Sequence, residues 1–251
     1  MRKSIAWIVA AVFLLLVAGI VLYSLARPCE LETREYEIKA NFENITIKAD
    51  TANIKLILSE NQSSRVVCEE EKNAKHSVTV KENTLRIEVA DNKKWYEDLD
   101  INLSAPKITI YLGKSEYGNI SLETDTGNIW LANIIATGKL EAETDTGDVN
   151  VQVCNAAAAF IEADTGNVLL ENLVVTGKLA IETDTGNVKF AACDASEVFI
   201  ETDTGNVTGS FLTDKTIFAQ SETGKIDIPK VIVDEKCEII TDTGNIKITI
   251  E

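Results

Sequence analysis

The stretch IETDTGNV, at residues 181–188, decides the fold of this chain because it is repeated. Close copies are LETDTGNI (122–129), AETDTGDV (142–149), IEADTGNV (161–168), IETDTGNV (200–207), AQSETGKI (219–226) and IITDTGNI (239–246). Their glycines recur every 19 or 20 residues, as Gly127, Gly147, Gly166, Gly186, Gly205, Gly224 and Gly244. A period this constant over seven copies indicates stacked structural units.

Apolar and polar residues alternate on both sides of each glycine. Around Gly186 the apolar positions are Leu179, Ile181, Val188 and Phe190, and mostly polar residues separate them. This period of two predicts a strand on either side of a Thr-Gly-Asn corner. Because each position keeps its side-chain type in every copy, coils stacked about 4.8 Å apart are favoured over a hairpin meander. The predicted fold is an all-β, single-stranded, right-handed β-solenoid (β-helix) with turns of 19–20 residues.

Asp-Thr-Gly is also the active-site tripeptide of aspartic proteases, so each copy raises the question of catalysis. That mechanism needs two aspartates that share one proton. Here the aspartates recur once per coil along a ladder, which indicates a structural corner. We expect the aspartate to accept hydrogen bonds from corner amides and the glycine to supply a positive φ. The sole histidine, His76, lies outside the repeat, and no enzyme is predicted.

Two acidic columns precede the corners: a glutamate four residues before five of the seven glycines, and an aspartate or glutamate two residues before all seven. Parallel carboxylate ladders are candidate ligands for Ca²⁺, which takes six to eight oxygen atoms. The repeat lacks the Gly-Gly-x-Gly-x-Asp pattern of calcium-binding β-rolls. Calcium is the only cofactor considered, and the candidate divalent-cation ladder is Glu143, Asp145, Glu162, Asp164, Glu182, Asp184, Glu201 and Asp203.

The amino terminus carries an uncharged apolar run at residues 5–26, preceded by Arg2 and Lys3. Its 22 residues exceed the roughly 20 that cross a bilayer core. The positive-inside rule then predicts a single-pass cell-membrane protein with a cytoplasmic amino terminus and an extracytoplasmic remainder. A cleaved signal peptide is the alternative, because Ser24-Leu25-Ala26 resembles a cleavage site.

Charge and cysteine spacing limit the remaining classes. The formal net charge of −16 lies entirely in residues 116–251, so nucleic acid is an unsuitable partner. Cys154 and Cys193 occupy one position two coils apart, roughly 9–10 Å, which is too far for a disulfide. We interpret them, with Cys237, as small core residues. The domain organisation predicted is a cytoplasmic stub and transmembrane anchor at 1–28, an irregular β segment capping the solenoid at 29–115, and regular repeats at 116–251.

Several short motifs together resemble a known family. They are FENITI (42–47), NTLRI (83–87), ITIYL (108–112), YGNI (117–120) and the Thr-Gly-Asn copies. In this order they are similar to the "putative adhesin" domain of unknown function, a β-strand-repeat domain of bacterial envelope proteins. The resemblance implies a membrane-tethered β-solenoid and transfers no catalytic residue.

The function predicted is therefore interaction: a non-enzymatic, membrane-tethered module for adhesion, envelope sensing or scaffolding. A calcium-stabilised structural module is the alternative. The last strand, residues 246–251, ends the chain and is expected to be an unpaired edge. Because such edges are normally covered, we expect it to pair with a second copy or with an envelope protein.

Overall fold

The computed structural model describes residues 31–71, 75–90 and 106–251. The predicted anchor at 1–28 lies outside these residues. Within them, no helix is long and apolar enough to cross a membrane. The strands are β1 Leu31–Ile38, β2 Asn44–Thr51, β3 Asn53–Leu58, β4 Ser64–Glu71, β5 His76–Lys81, β6 Thr84–Val89, β7 Lys107–Leu112, β8 Glu116–Tyr117, β9 Ile120–Thr126, β10 Ile129–Ala132, β11 Ile135–Thr146, β12 Val149–Thr165, β13 Val168–Thr185, β14 Val188–Thr204, β15 Val207–Phe211, β16 Thr216–Thr223, β17 Ile226–Asp227, β18 Lys236–Thr243 and β19 Ile246–Ile250.

Equivalent strands of successive coils pair in parallel and in register, as a solenoid requires. Ile161 of β12 pairs with Ile181 of β13, which pairs with Ile200 of β14. These inward isoleucines are at most 2% exposed, so the apolar columns form one continuous core. The predicted all-β, solenoid-like fold is confirmed, and the right-handed winding stays a prediction.

Each regular coil bends at three places. The first is the glycine corner. The second lies six residues later, where Asn133, Val153, Asn172 and Ala192 adopt left-handed φ values between 49° and 61°. The third is a register shift nine to twelve residues after the glycine, as between Ala156 and Ala159. The sequence predicts only the first bend, although asparagine at two of the four second bends is typical of left-handed backbone.

The corner glycines are required by close stacking and not mainly by a positive φ. Only Gly127 and Gly147 of the seven have positive φ, of 154° and 155°. A Cβ on Gly186 would lie 1.7 Å from the carbonyl oxygen of Gly166, and one on Gly147 would lie 2.1 Å from that of Gly127. The backbones of neighbouring coils therefore approach too closely at this column for any side chain.

Asparagine and threonine hold the corners together, whereas the expectation for aspartate is wrong. Asn187 donates its backbone amide to the side-chain oxygen of Asn167, and Asn206 does the same to Asn187. Inward Thr202, at 1% exposure, donates its hydroxyl to the carbonyl oxygen of Gly186. The Asp184 side chain is exposed and accepts no hydrogen bond within the described residues. Strict alternation explains this, since it points threonine inward and aspartate outward.

At the carboxyl-terminal end, the coils do not stack in chain order. The chain runs from β14–β15 to an outermost coil, β16–β17, and then returns to insert β18–β19 between them. The amide of Gly205 donates to the carbonyl of Thr243, and the amide of Ile246 donates to the carbonyl of Lys225. The prediction that the last strand is the open edge is therefore wrong. The outermost strand is β16.

The amino-terminal end shows the same reordering. The coil β2–β3 lies between β9–β10 on one side and β6–β7 on the other. Antiparallel strands then cover the outer side: β5 pairs with β6, β4 pairs with β7, and β1 pairs with β4. Ile108, in the outermost parallel coil, is 0% exposed as a result.

The interpretation of three cysteines as core residues is confirmed. Cys154, Cys193 and Cys237 are buried and free, as is Cys68. Burial raises the pKa of Cys193 to about 11 and that of Cys237 to about 12, so both remain thiols at neutral pH. They act as small apolar side chains in the columns.

Candidate functional site

Three regions of the molecule carry candidate functional groups. The acidic ladder is the outward column Glu123, Glu143, Glu162, Glu182 and Glu201 with the aspartates two residues after each. The buried cluster is Cys68, Glu70 and His76. The carboxyl-terminal edge is β16–β17 with the segment 228–235 that follows. The structure separates these regions, so each is described in turn.

The acidic ladder is a register-matched row of carboxylates. Glu143 pairs with Glu123 on one side and Glu162 on the other, and Glu162 pairs with Glu182. Lys48 neutralises one end by an ion pair with Glu123. Desolvation first, and then the charges of neighbouring carboxylates, raise the pKa values of Glu143 and Glu162 above the ordinary range. The row therefore favours protons or cations.

The carboxylates of the ladder do not converge on a common point. The predicted ligands Asp145, Asp164, Asp184 and Asp203 are all exposed and point outward. In the part of the chain that the structure describes, three metal-ligating atoms converge within 4.8 Å only in the buried cluster. Calcium binding by the ladder stays a prediction.

The buried cluster lies at the amino-terminal cap. Cys68 and Glu70 are two residues apart on β4, so strand alternation points both inward, and His76 begins β5. Cys68 and Glu70 are 0% exposed, and His76 is 7% exposed. Oε2 of Glu70 accepts the backbone amide of His76 at 2.7 Å and lies 2.9 Å from its Nδ1. Glu70 thereby ties the start of β5 to the end of β4.

Nucleophilic catalysis does not fit this cluster. Desolvation, with a contribution from the Glu70 charge, raises the pKa of Cys68 to about 12. The group is a thiol at neutral pH, whereas the thiolate is the nucleophile. Sequence reasoning missed the cluster, because His76 was considered alone. The available signal was Cys-x-Glu on one strand face followed by a histidine at the next strand.

The carboxyl-terminal edge exposes positions that are buried in every other regular coil. Ile226 belongs to the inward column two residues after the glycine, and it is 43% exposed. Its six equivalents are all 0% exposed: Ile129, Val149, Val168, Val188, Val207 and Ile246. In the described residues β16 pairs only with β18, so its outer backbone groups have no strand partner. The core is therefore open at this end.

The carboxyl-terminal edge itself exposes large apolar side chains. Phe218 is 57% exposed and Ile232 is 92% exposed. A groove of about 500 Å³ runs beside the edge, lined among others by Phe199, Phe218 and Glu238. Small-ligand pockets have volumes of about 300–1,000 Å³, but this groove is open on its outer side.

A buried lysine fixes the outermost coil to the rest. Nζ of Lys215, at 0% exposure, lies 2.6 Å from Asp194 and 2.7 Å from Glu235. It also donates to the carbonyl oxygen of Ala195 at 2.7 Å. These contacts join β14, the start of β16 and the start of β18, so they hold the reordered coils together.

Comparison with known proteins identifies the fold of this chain. A family model described as Toastrack DUF4097 matches residues 42–248. A crystal structure of a "putative adhesin" from Bacteroides fragilis NCTC 9343 is 22% identical with a TM-score of 0.59, and the match covers 87% of this chain and 97% of that one. No curated protein matches this chain.

More distant solved structures match with lower scores. A "putative cell adhesion protein" from Clostridium sporogenes is 12% identical with a TM-score of 0.38, covering 88% of this chain and all of that one (100%). A "putative lipid binding protein" from Parabacteroides distasonis is 16% identical with a TM-score of 0.40, covering 88% of this chain and 97% of that one. At these identities the comparisons concern fold alone.

Proposed function

The chain belongs to the Toastrack DUF4097 family, and on that premise we propose a non-enzymatic surface module that pairs with a second copy of itself through the carboxyl-terminal edge. The observation that carries the proposal is Ile226, a core-column residue that remains 43% exposed. A strand laid against β16 would satisfy the outer backbone groups of β16, and the rest of the partner coil would cover Ile226 on the adjoining strand β17.

A second copy is the occupant that the charge distribution favours. The chain has a net charge of −16, so two copies repel over most of their surfaces. The eight-residue strand β16 carries one charged residue, Glu222, and therefore provides the surface on which two acidic copies can approach. Antiparallel pairing of β16 with its equivalent gives a two-fold, self-complementary contact that closes as a dimer.

Disulfide trapping in membranes from cells expressing the full chain tests this pairing. Gln220 lies near the middle of β16, so the Gln220→Cys substitution places two thiols beside the two-fold axis. We expect a covalent dimer under mild oxidation, because paired strands bring Cα atoms within the roughly 4.4–6.8 Å of a disulfide. Lys189→Cys, on an exposed position in the middle of the solenoid, is the matched control and should remain monomeric.

A charge placed at the edge provides the complementary test. Combining Phe218→Glu with Gln220→Cys should abolish the covalent dimer, because like charges would face one another across the axis. Leu58→Glu makes the same kind of change at a position 42% exposed on an inner coil and should leave the dimer intact. Equal cross-linking of the Gln220→Cys and Lys189→Cys variants, or a dimer that survives Phe218→Glu, would contradict the proposal.

The proposed setting is the outside of the cell membrane. Residues 5–26, which are apolar, and the preceding Arg2 and Lys3 support a single-pass anchor with the solenoid outside. Pairing there would make the chain a scaffold, and adhesion or sensing would use the remaining lateral faces. Protease added to intact cells should degrade the solenoid, and protection equal to that of a cytoplasmic marker would contradict this location.

The alternative, a calcium-stabilised structural module, is supported by the acidic ladder alone. Five glutamates stand in register, and within the described part of the chain only Glu123 has a lysine partner, Lys48. Calcium would neutralise the row without requiring any partner protein. Experiments can distinguish the two functions, because substitutions in the ladder would remove the calcium dependence and substitutions in β16 would remove the pairing.

A further inference from the structure

We propose that Cys68, Glu70 and His76 bind a zinc-class divalent metal ion at the amino-terminal cap of the solenoid. The thiol sulfur, a carboxylate oxygen and an imidazole nitrogen lie within 4.8 Å of one another. They come from two strands that the residues between β4 and β5 connect. The site is separate from the acidic ladder and from the carboxyl-terminal edge.

An unsatisfied carboxylate oxygen indicates that the cluster lacks a partner. Oε1 of Glu70 is buried and accepts no hydrogen bond within the described residues. Nε of Arg34 lies 3.5 Å from it, which is a charge contact beyond the usual N–H···O range of about 2.7–3.2 Å. Leaving a buried carboxylate oxygen without a hydrogen bond is unfavourable. A metal ion bound at Oε1 would remove that deficit.

The donor set determines the class of metal. Thiolate and imidazole ligands suit zinc and its neighbours, whereas calcium and magnesium prefer oxygen donors only. Three protein ligands leave one tetrahedral position, which water fills in sites of this type. Metal binding would also deprotonate the Cys68 thiol, so that Cys68 and Glu70 together balance the charge of a divalent ion.

The other carboxylate oxygen of Glu70 lies beside the imidazole. Oε2 is 2.9 Å from Nδ1 of His76, so a metal ion bound on this side of the ring would replace that contact and be shared by Nδ1 and the Glu70 carboxylate. The 2.7 Å bond from the His76 amide fixes the backbone at the same point. Two of the three ligands are thus held in place before a metal arrives.

The consequence of binding would be a clamp on the cap. Cys68 lies on β4 between β1 and β7, opposite Arg34 and Ile108. His76 lies on β5, which pairs with β6. A metal ion shared by β4 and β5 would therefore join the two antiparallel strands that cover opposite stretches of the outermost parallel coil.

Cobalt spectroscopy on the full chain, purified without a polyhistidine tag, tests the proposal. Cobalt replaces zinc in such sites, and a thiolate ligand then gives a near-ultraviolet charge-transfer band. We expect stoichiometric zinc in the purified chain and this band after exchange with cobalt. Cys68→Ser should abolish the band, whereas Cys154→Ala, which changes a buried thiol elsewhere, should retain it.

Zinc affinity provides the second measurement. His76→Gln and Glu70→Gln should each weaken zinc binding by more than about 100-fold, beyond the effect of losing an outer-shell partner. A band that persists in Cys68→Ser would assign the thiolate to another cysteine and overturn the proposal. Absence of both zinc and band in the unmodified chain would overturn it as well, whether or not the variants fold.

Discussion

The two ends of the solenoid use the same chain reordering but finish differently. At each end the outermost coil is not the first or last coil in chain order. The coil β2–β3 lies inside β6–β7, and β18–β19 lies inside β16–β17. Among the residues that the structure describes, only the amino-terminal end then adds antiparallel strands, β4 and β5, with β1 beyond β4.

The outer strands at the two ends also differ in charge. The outer strand β1 carries four charged residues in eight, which are Glu32, Arg34, Glu35 and Glu37. Charged side chains on an edge strand oppose pairing with another chain. The outer strand β16 carries only Glu222 and exposes Phe218. Under the proposed pairing, the charges of β1 would oppose association at the amino-terminal end, so association through β16 would stop at a dimer and would not extend into a fibre.

Matched alanine substitutions in one core column should show the largest contrast between the ends. Ile108 and Ile226 occupy equivalent positions in the two outermost coils, at 0% and 43% exposure. Ile108→Ala leaves a cavity and should lower the free energy of unfolding by about 3 kcal/mol. Ile226→Ala should cost less than about 1 kcal/mol in the monomer, since much of this side chain already contacts water. Denaturant unfolding at low protein concentration measures both.

The effect of protein concentration shows whether pairing covers Ile226. If pairing buries Ile226, the cost of Ile226→Ala should grow at concentrations where the dimer forms, while that of Ile108→Ala should not change. Equal costs for the two substitutions in the monomer would show that the carboxyl-terminal end is covered in solution and would contradict the comparison.

The next largest effect should come from the buried lysine that holds the outermost coil. Lys215→Ala leaves Asp194 and the carbonyl oxygen of Ala195 without their shared donor. Removal of one partner from a buried ion pair is strongly destabilising, and the partial exposure of Glu235 reduces the expected loss to roughly 2 kcal/mol. Hydrogen exchange should accelerate in β16–β19 and remain unchanged in β4–β7. Uniform acceleration in both regions would contradict a local role for Lys215.

The repeat was predictable because each coil carries the same alternation of apolar and polar residues around its glycine. Alternation around Gly186 predicted the strands, the inward columns and the burial of Cys154, Cys193 and Cys237. A single period also predicted stacking in chain order, and that expectation failed at the ends. The copy at Gly224 departs from the pattern, with Ser221, Glu222 and Lys225 where the Gly244 copy has Thr241, Asp242 and Asn245, but the period alone does not say which of the two coils lies outermost. Their order depends on long-range contacts such as those of Lys215.

The buried cluster was unpredictable for a related reason. Cys68, Glu70 and His76 meet only because β4 turns antiparallel to the coil beneath it, and no repeat signals that reversal. Gly209 shows the same dependence on a neighbour. It stands in the inward column four residues after the corner glycine, where a Cβ would lie 2.4 Å from the ring of Phe190, which fills the space.

The second bend of the regular coils provides a smaller, stabilising prediction. Val153 has φ = 52°, which is unfavourable for a β-branched side chain, and it is 55% exposed. Asn133 and Asn172 occupy the same bend in adjacent coils. Val153→Asn should therefore raise the free energy of unfolding by about 1 kcal/mol. Val174→Asn, at an exposed strand position, is the control and should give no gain. A loss of stability in Val153→Asn would contradict the strain argument.

The smallest effect should be the pH dependence of the acidic ladder, which lies midway between the ends. Folding raises the pKa values of Glu143 and Glu162, so the folded chain binds protons more readily than the unfolded chain. Their contribution to stability is complete below the ordinary glutamate pKa of about 4.3 and is lost as pH rises through the raised values. The melting temperature should therefore increase modestly as pH falls from neutrality toward that window.

A double substitution isolates the contribution of the ladder and tests calcium at the same time. Glu143→Gln with Glu162→Gln removes two adjacent charges, so it should raise the melting temperature at neutral pH and flatten its pH dependence. Ionic screening alone would let calcium and magnesium stabilise the unmodified chain equally. A larger shift with calcium, lost in the double variant, would show specific binding and support the calcium-stabilised function. Because β16 lies outside the ladder, adding Gln220→Cys to this double variant should give the same covalent dimer as Gln220→Cys alone, which keeps pairing and cation binding separable.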